Sequence, residues 1–243
     1  MGYLSNVTSV FKKETKSYFY SPMAYIILGL FMFISSILFY FFNLSNSIGT
    51  LVWMFNQPIF ALILIMFISI LTMRMYAEER KNGTEVLLFT SPSKVSSLII
   101  GKFLAAYFVF IVMTLLTLTY PLVIMIFKGK FTIQMVGGYV GLLLFGSCLI
   151  AIGLFCSALT ENQIIAAILS FIIMFFLFIV GSFATMFGGA VTEILKWVSL
   201  FYRYSDQSTG IFRLNTMVYF ISITVSLLVI TVLVIEKRRW SQG

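Results

Sequence analysis

The sequence predicts an all-α integral membrane protein, and three observations support this fold class. Of the 243 residues, 60% are hydrophobic and only 10% are charged, whereas soluble domains carry about 25% charged residues. The mean hydropathy is +1.05. Uncharged stretches recur that exceed the roughly 20 apolar residues needed to cross a bilayer. So few charges cannot cover a soluble core, which excludes soluble, disordered and fibrous proteins.

Six membrane spans are predicted from these uncharged stretches. The first stretch, residues 17–73, is too long for one helix. A polar cluster at 43–49 divides it, and Pro58 marks a new start because proline is tolerated in the first helical turn. Pro121 is expected to kink or end the third span. We expect a single domain over residues 1–243, with spans at about 23–42, 58–76, 98–126, 136–158, 162–186 and 215–235.

The basic residues predict the orientation of these spans. An even number of spans places both termini on one side, which then carries eleven of the 16 Lys and Arg residues. Because cytoplasmic loops are enriched in Lys and Arg, both termini are predicted to be cytoplasmic. The net charge of +8 follows from this topology. The positive charge therefore gives no reason to expect a nucleic-acid partner, and the lipid bilayer is the partner that it indicates.

An amphipathic segment precedes span 1. Leu4, Val7, Phe11 and Tyr18 recur at helical spacing opposite lysine residues. This pattern is typical of a helix lying in the inner membrane interface. The alternative is a frayed basic tail.

A second amphipathic segment, residues 188–215, lies between spans 5 and 6 and is too short and polar to cross the bilayer. A re-entrant or surface helix is expected, followed by a polar turn at 205–208. Aromatic residues are typical of membrane interfaces, and Trp197, Phe201 and Tyr202 are candidate residues of an external gate. The alternative is an anchor without a role in transport.

The most polar segment follows span 2, where five charged residues occur between Glu78 and Glu85. Asn82-Gly83 predicts a turn. Thr84 is expected to cap a short amphipathic helix, which ends before Pro92. Because its apolar side chains are costly to expose to water, this helix should dock either on a cytoplasmic partner or on the protein's own bundle.

Residues that could support catalysis or metal binding are scarce. The chain has no His, and its two cysteines, Cys148 and Cys156, provide neither a disulfide framework nor zinc spacing. The central parts of the predicted spans carry no charge. The phosphate-binding motif G-x-x-x-x-G-K-[ST] is missing, since both Gly-Lys pairs are followed by Phe. We therefore expect no enzyme activity and no cofactor or metal bound by this chain.

The segment after span 2 resembles that of the permease subunits of type-2 ABC transporters, in particular gliding-motility-type and related export permeases. The similarity lies in EERKNGTEVLL at 78–88, Thr90-Ser91-Pro92 and IIGKFLA at 99–105. It implies a half-transporter in the bacterial cytoplasmic membrane. Its partners would be two copies of an ABC ATP-binding subunit, which bind ATP and Mg, and a second permease, identical or paralogous.

The resemblance also implies that the segment after span 2 is a coupling helix that inserts into a groove of the ATP-binding subunit. The implied contact residues are Glu78, Glu79, Arg80, Gly83, Thr84, Glu85, Val86, Leu88, Phe89 and Pro92.

Spans 2 and 5 line the transport pathway in similar families. Here this implies Phe60, Met66, Phe67, Ile172, Met174, Phe175 and Phe178 as candidate lining residues. The 13 Met and 27 Phe residues suit an adaptable apolar surface, so a hydrophobic or amphiphilic substrate is expected. For each residue, helix packing or lipid contact is the alternative.

Three functions stay open at this stage. The first is an export permease driven by a separate ATPase. The second is a membrane anchor or mechanical component that works with an ATPase but transports nothing. The third is a stand-alone secondary carrier or channel, which a charged residue at the membrane midplane would favour.

Overall fold

The computed structural model describes residues 3–46, 50–84, 94–127, 129, 132–184, 189–208 and 213–241. This part of the chain contains helices and no strand. Its α-helices are α1 (Tyr3–Tyr20), α2 (Pro22–Phe39), α3 (Val52–Phe55), α4 (Pro58–Thr72), α5 (Arg74–Lys81), α6 (Val95–Leu116), α7 (Thr119–Ile126), α8 (Ile133–Leu159), α9 (Gln163–Phe183), α10 (Ala190–Val198), α11 (Leu200–Ser208) and α12 (Leu214–Ser241). A π-helical turn, Tyr40–Leu44, continues α2.

Within the described ranges, six helical stretches are long and apolar enough to cross a bilayer. Spans 1 to 6 are Pro22–Leu44, Pro58–Lys81, Val95–Ile126, Ile133–Leu159, Gln163–Phe183 and Leu214–Arg239. Each overlaps one predicted span, so the predicted all-α membrane fold is confirmed.

Side-chain caps fix the starts of two spans. The Ser21 hydroxyl accepts the Met23 N–H at 3.3 Å before span 1, where Pro22 occupies the first turn. The Asn162 side chain accepts the Ile164 N–H at 2.9 Å before span 5. These bonds satisfy N–H groups that have no partner within the helix.

Span 3 is interrupted between α6 and α7, four residues before Pro121. Proline has no N–H, so the Thr117 carbonyl lacks its usual helical donor. The Tyr139 hydroxyl of span 4 donates to this carbonyl at 2.9 Å, and the Tyr120 N–H donates to it at 3.0 Å. The helix that was expected to kink or end at Pro121 is therefore interrupted just before it, and Tyr139 compensates for the missing bond.

Span 4 is the central helix of the bundle, and 72% of its most apolar 18-residue stretch is buried. Its glycines allow neighbouring spans to approach closely. A Cβ atom on Gly146 would lie 2.1 Å from the Phe110 ring of span 3, and one on Gly153 would lie 2.1 Å from Thr72 Oγ1 of span 2. Small residues at such contacts are typical of membrane helix packing.

The N-terminal helix α1 packs against span 3. A Cβ atom on Gly101 would lie 2.7 Å from the Val10 Cβ, so the two backbones lie close together. Val7 and Tyr18 are buried, but Leu4 is 77% exposed. Val7 and Tyr18 of the predicted apolar face therefore pack within the chain, whereas Leu4 lies on its surface. The position of α1 in the membrane interface stays a prediction.

The segment between spans 5 and 6 forms two helices, α10 and α11, separated at Ser199. The predicted polar turn at 205–208 is wrong because α11 continues to Ser208. Packing of this helix against the bundle, with the Tyr204 ring stacked on Phe145 at 4.6 Å, outweighs the turn preference of its polar end.

Candidate coupling junction

Span 2 is interrupted at Met73, between α4 and α5. The Ser157 hydroxyl of span 4 accepts the N–H groups of Tyr76 and Ala77 at 3.0 and 3.2 Å, and it donates to the Met73 carbonyl at 3.0 Å. One hydroxyl thereby forms hydrogen bonds with three backbone groups at the interruption. The orientation of α5 is consequently tied to span 4.

Lys102 of span 3 is almost completely buried, with 2% of its side chain exposed. Its Nζ lies 2.9 Å from Glu79 Oε1 and 3.2 Å from Glu14 Oε1, and it donates to the Met75 carbonyl at 2.7 Å. It also lies 5.1 Å from the centre of the Tyr76 ring. Burial of an ammonium group is costly unless it is paired, and here two carboxylates pair with it.

These five residues, Glu14, Met75, Tyr76, Glu79 and Lys102, are called the junction below. They come from α1, α5 and span 3 and are far apart in sequence. A single ammonium group thus holds three helices together at the end of the bundle where spans 2 and 4 end and span 3 begins.

The last carbonyls of span 4 are bound by two arginines close to the junction. Arg238 of span 6 donates to the Ala158 carbonyl at 2.6 Å and to the Leu159 carbonyl at 3.4 Å. Arg80 of α5 also donates to the Leu159 carbonyl at 3.4 Å and forms an ion pair with Glu161. Cations favour helix C-termini because the last carbonyls have no partner within the helix.

A further contact links α1 to the residues of span 2 on either side of Met73. The Tyr18 hydroxyl donates to the Leu71 carbonyl at 3.0 Å, and the Arg74 guanidinium lies 5.1 Å from the centre of the Tyr18 ring. Burial raises the pKa of Tyr18, so the phenol remains neutral and able to donate. The Arg74 side chain also donates to Ser21 at 3.4 Å, at the start of span 1.

The chain leaves α5 through a tight turn. Gly83 has φ of +68°, a left-handed conformation that favours glycine. The Thr84 hydroxyl and N–H both donate to the Glu79 carbonyl, at 3.1 and 3.0 Å. The predicted turn at Asn82-Gly83 is confirmed, and the segment that follows starts directly at the junction.

The ten predicted coupling residues divide into three groups. Glu79 and Arg80 form ion pairs within the chain, with Lys102 and Glu161, while Glu78, Gly83 and Thr84 lie at or beside the exit from α5. The other five predicted residues lie outside the part of the chain that the structure describes: Glu85, Val86, Leu88, Phe89 and Pro92.

A family model described as ABC-2 family transporter protein matches residues 43–236. The chain belongs to this family. The resemblance drawn from the sequence is thereby confirmed, and the protein is an ABC-type permease, a multi-pass membrane protein with a transport function. The family consists of membrane domains that lack the ATP-binding domain and generally work with an ABC ATP-binding subunit. No curated protein matches the chain.

Sequence reasoning missed most residues of the junction of this ABC-2 permease and the residues of spans 4 and 6 that bind beside it. Glu14, Lys102, Ser157 and Arg238 received no functional role from the sequence. Lys102 carried a usable signal, since it is a basic residue inside an otherwise uncharged span, and such residues usually have a specific partner. Ser157 carried none, because serine within a membrane helix is common.

The candidate pathway residues of the ABC-2 permease lie in different surroundings. Spans 2 and 5 contact each other where the Ser69 hydroxyl lies 3.6 Å from Met174 Sδ. Four of the residues are buried within the chain: Phe60, Phe67, Met174 and Phe178. Phe175 is partly buried, whereas Met66 and Ile172 are 40% and 56% exposed. Only exposed positions can meet a substrate or a second subunit in this conformation.

The candidate external gate lies at the opposite end of the bundle from the junction. The Trp197 ring is 60% exposed and lies 4.2 Å from the Arg203 guanidinium. Tyr202 is 40% exposed, and Lys196 lies 5.5 Å from its ring centre. Phe201 packs against Phe178 at the end of span 5, with ring centres 4.7 Å apart. The three predicted residues are therefore on adjacent helices near the ends of spans 5 and 6.

Proposed function

We propose that this ABC-2 permease is the membrane subunit of an ATP-driven exporter in the bacterial cytoplasmic membrane. ATP and Mg bind to two copies of a separate ATP-binding subunit, and a second permease, identical or paralogous, completes the pathway. Within residues 78–92, the positions other than the internally paired Glu79 and Arg80 contact the ATP-binding subunit from the cytoplasmic side. The substrate class that fits the Met- and Phe-rich spans is hydrophobic or amphiphilic.

The observation that carries this proposal is the junction. The segment 85–93 follows α5 after one turn, and α5 is bound to span 3 and α1 through Lys102 and to span 4 through Ser157. A displacement of this segment by the ATP-binding subunit is therefore shared by several membrane helices. Such shared displacement is what a two-state transporter requires.

The first test measures assembly with the ATP-binding subunit. The tagged permease is co-expressed with that subunit and purified in mild detergent, as wild type and as Glu78→Lys with Glu85→Lys. We expect the charge reversal to reduce co-purification strongly. A basic surface of the ATP-binding subunit that attracts the two glutamates would repel the two lysines. A matched control, Glu193→Lys with Glu236→Lys, should leave co-purification unchanged.

The second test asks whether the junction affects ATP hydrolysis without affecting binding of the ATP-binding subunit. The variant Glu14→Gln, Glu79→Gln and Lys102→Met removes the three charges of the junction together and leaves no unpaired ion. We expect its complex with the ATP-binding subunit to assemble normally but to lose the stimulation of ATP hydrolysis that the wild-type permease gives. If the permease purifies alone and neither set of variants changes any measurement, the proposed function is wrong and a self-contained carrier is favoured.

A further inference from the structure

An apolar groove lies between α1 and the first half of span 3. It has a volume of about 290 Å³ and is lined by Val7, Thr8 and Phe11 on one side and by Leu104, Phe108 and Ile111 on the other. Span 3 also contributes Tyr107 to the lining. Leu104, Phe108 and Ile111 are spaced by four and three positions, so they share one helix face. Leu104 and Phe108 are 38% and 39% exposed, which leaves the groove open to the surroundings of the bundle.

The direction of the groove follows span 3 into the membrane. A helix rises 1.5 Å per residue, so Ile111 lies about 10 Å further along the span than Leu104. The groove therefore runs from the level of Lys102 towards the hydrocarbon region. Its length and apolar lining suit a lipid chain better than a compact polar molecule.

The helix α1, which forms one wall of the groove, is basic. Helix α1 contains Lys12, Lys13 and Lys16 and a single acid, Glu14. Glu14 is turned inward to Lys102, whereas the three lysines are exposed. Lys12 directly follows the groove residue Phe11, and Lys16 lies about one helical turn beyond Lys12. The exposed surface of α1 consequently has an excess of positive charge.

We propose that this groove binds an anionic phospholipid from the surrounding membrane leaflet. One acyl chain occupies the groove, and the headgroup contacts Lys12 and Lys16. A zwitterionic lipid offers the same chain without the net negative charge. Because the lipid contacts α1 and span 3 together, it supports the same pair of helices that Glu14 and Lys102 join. This site is separate from any transported substrate and does not depend on the proposed exporter.

The charge and the groove can be tested with separate variants. Lys12→Gln with Lys16→Gln removes the headgroup contacts, and its matched control is Lys94→Gln with Lys237→Gln, which changes two other exposed lysines. Thr8→Trp fills the groove, and its matched control is Ser9→Trp on the same helical turn. Thr8 and Ser9 both donate only to carbonyls of α1 among their described hydrogen bonds, so the two tryptophan variants lose equivalent contacts.

The measurement is native mass spectrometry of the purified full-length chain with phosphatidylglycerol or phosphatidylcholine of identical acyl chains. We expect wild type to retain one phosphatidylglycerol with at least tenfold preference, since a basic residue near an anionic surface typically contributes about fivefold. The double lysine variant should lose this preference, Thr8→Trp should lose the bound lipid, and both controls should match wild type.

Three results would overturn the proposal. The first is equal retention of the two lipids by wild type, and the second is unchanged lipid retention by Thr8→Trp. The third is a double lysine variant that keeps its phosphatidylglycerol but no longer captures the ATP-binding subunit, which would assign the lysines to a protein contact. Thermal unfolding of each variant distinguishes these results from loss of the fold.

Discussion

Lys102 Nζ lies 2.9 Å from Glu79 Oε1, and this ion pair joins the start of span 3 to the end of span 2. Glu14 adds a second carboxylate from α1 at 3.2 Å. Lys102 lies seven residues after the start of span 3, near the membrane boundary rather than the midplane. The position suits a contact that transmits movement better than an ion-binding site within a stand-alone carrier.

Removal of the ammonium group alone should be strongly destabilising. We expect Lys102→Met to lower the free energy of unfolding by about 3 kcal/mol, because two partly buried carboxylates then lose their partner. Lys94→Met, an exposed lysine at the start of the same span, should have little effect. Denaturant unfolding in detergent micelles measures both, and equal stabilities would contradict the role given to Lys102.

The Ser157 hydroxyl is predicted to stabilise the interruption of span 2 at Met73. Ser157→Ala leaves the Tyr76 and Ala77 N–H groups without their acceptor, so we expect a loss of about 1–2 kcal/mol. Ser170→Ala is the matched control, since this buried serine donates to a carbonyl of its own helix. Thermal unfolding compares the two variants, and a larger loss at Ser170 would be inconsistent with the described bonding.

The contact between spans 2 and 4 predicts a steric effect at Gly153. A methyl group there would overlap Thr72 Oγ1, so Gly153→Ala should destabilise the protein by about 1–3 kcal/mol. Gly29→Ala is the control, because a Cβ atom at Gly29 meets nothing within 4 Å. If both variants unfold at the wild-type temperature, the spans are further apart than described.

The bond from Tyr139 to the Thr117 carbonyl predicts a coupling between Tyr139 and Pro121. Tyr139→Phe should cost about 0.6 kcal/mol, the average for hydrogen bonds between membrane helices. In the background Pro121→Ala, which supplies a backbone N–H for the same carbonyl, the cost should be smaller. A double-mutant cycle of unfolding free energies measures this difference, and additive effects would show that the two residues act independently.

The charge distribution predicts that the N- and C-termini share one side of the membrane. After Cys148 and Cys156 are replaced by Ala, single cysteines at Lys13, Lys237 and Glu193 report sidedness. An impermeant thiol reagent added to inverted vesicles should label Lys13→Cys and Lys237→Cys but not Glu193→Cys. Labelling of all three from one side would refute the predicted orientation.

The spans could be predicted from the sequence because crossing a bilayer imposes a length and an absence of charge that are both local properties. The interruption near Pro121 was predictable for the same reason, since a missing N–H acts four residues away. The end of α11 was not, because its polar residues 205–208 indicate a turn locally, and packing of Tyr204 on Phe145 favours a continued helix.

The junction could not be predicted because its partners are distant in sequence. Lys102 and Glu14 are 88 residues apart, and Ser157 and Tyr76 are 81 residues apart. Composition indicates that a lysine inside a span needs a partner, but only the arrangement of α1, α5 and span 3 shows which acids supply it. The same arrangement directs Glu79 and Arg80, predicted to contact a partner subunit, to contacts within the chain.

The interruption at Thr117 divides span 3 into two helices, α6 and α7, which bind different neighbours. Helix α6 contacts α1 at Gly101 and Lys102. Helix α7 contacts span 1, where the Tyr120 hydroxyl forms a hydrogen bond with the Ser35 hydroxyl at 2.6 Å and its ring stacks on Phe39. A tilt of α6 can therefore be absorbed at Thr117 before it reaches α7. Span 4 is one uninterrupted helix over Ile133–Leu159. Its bond from Tyr139 to the Thr117 carbonyl and its bonds from Ser157 to the start of α5 therefore belong to one continuous helix.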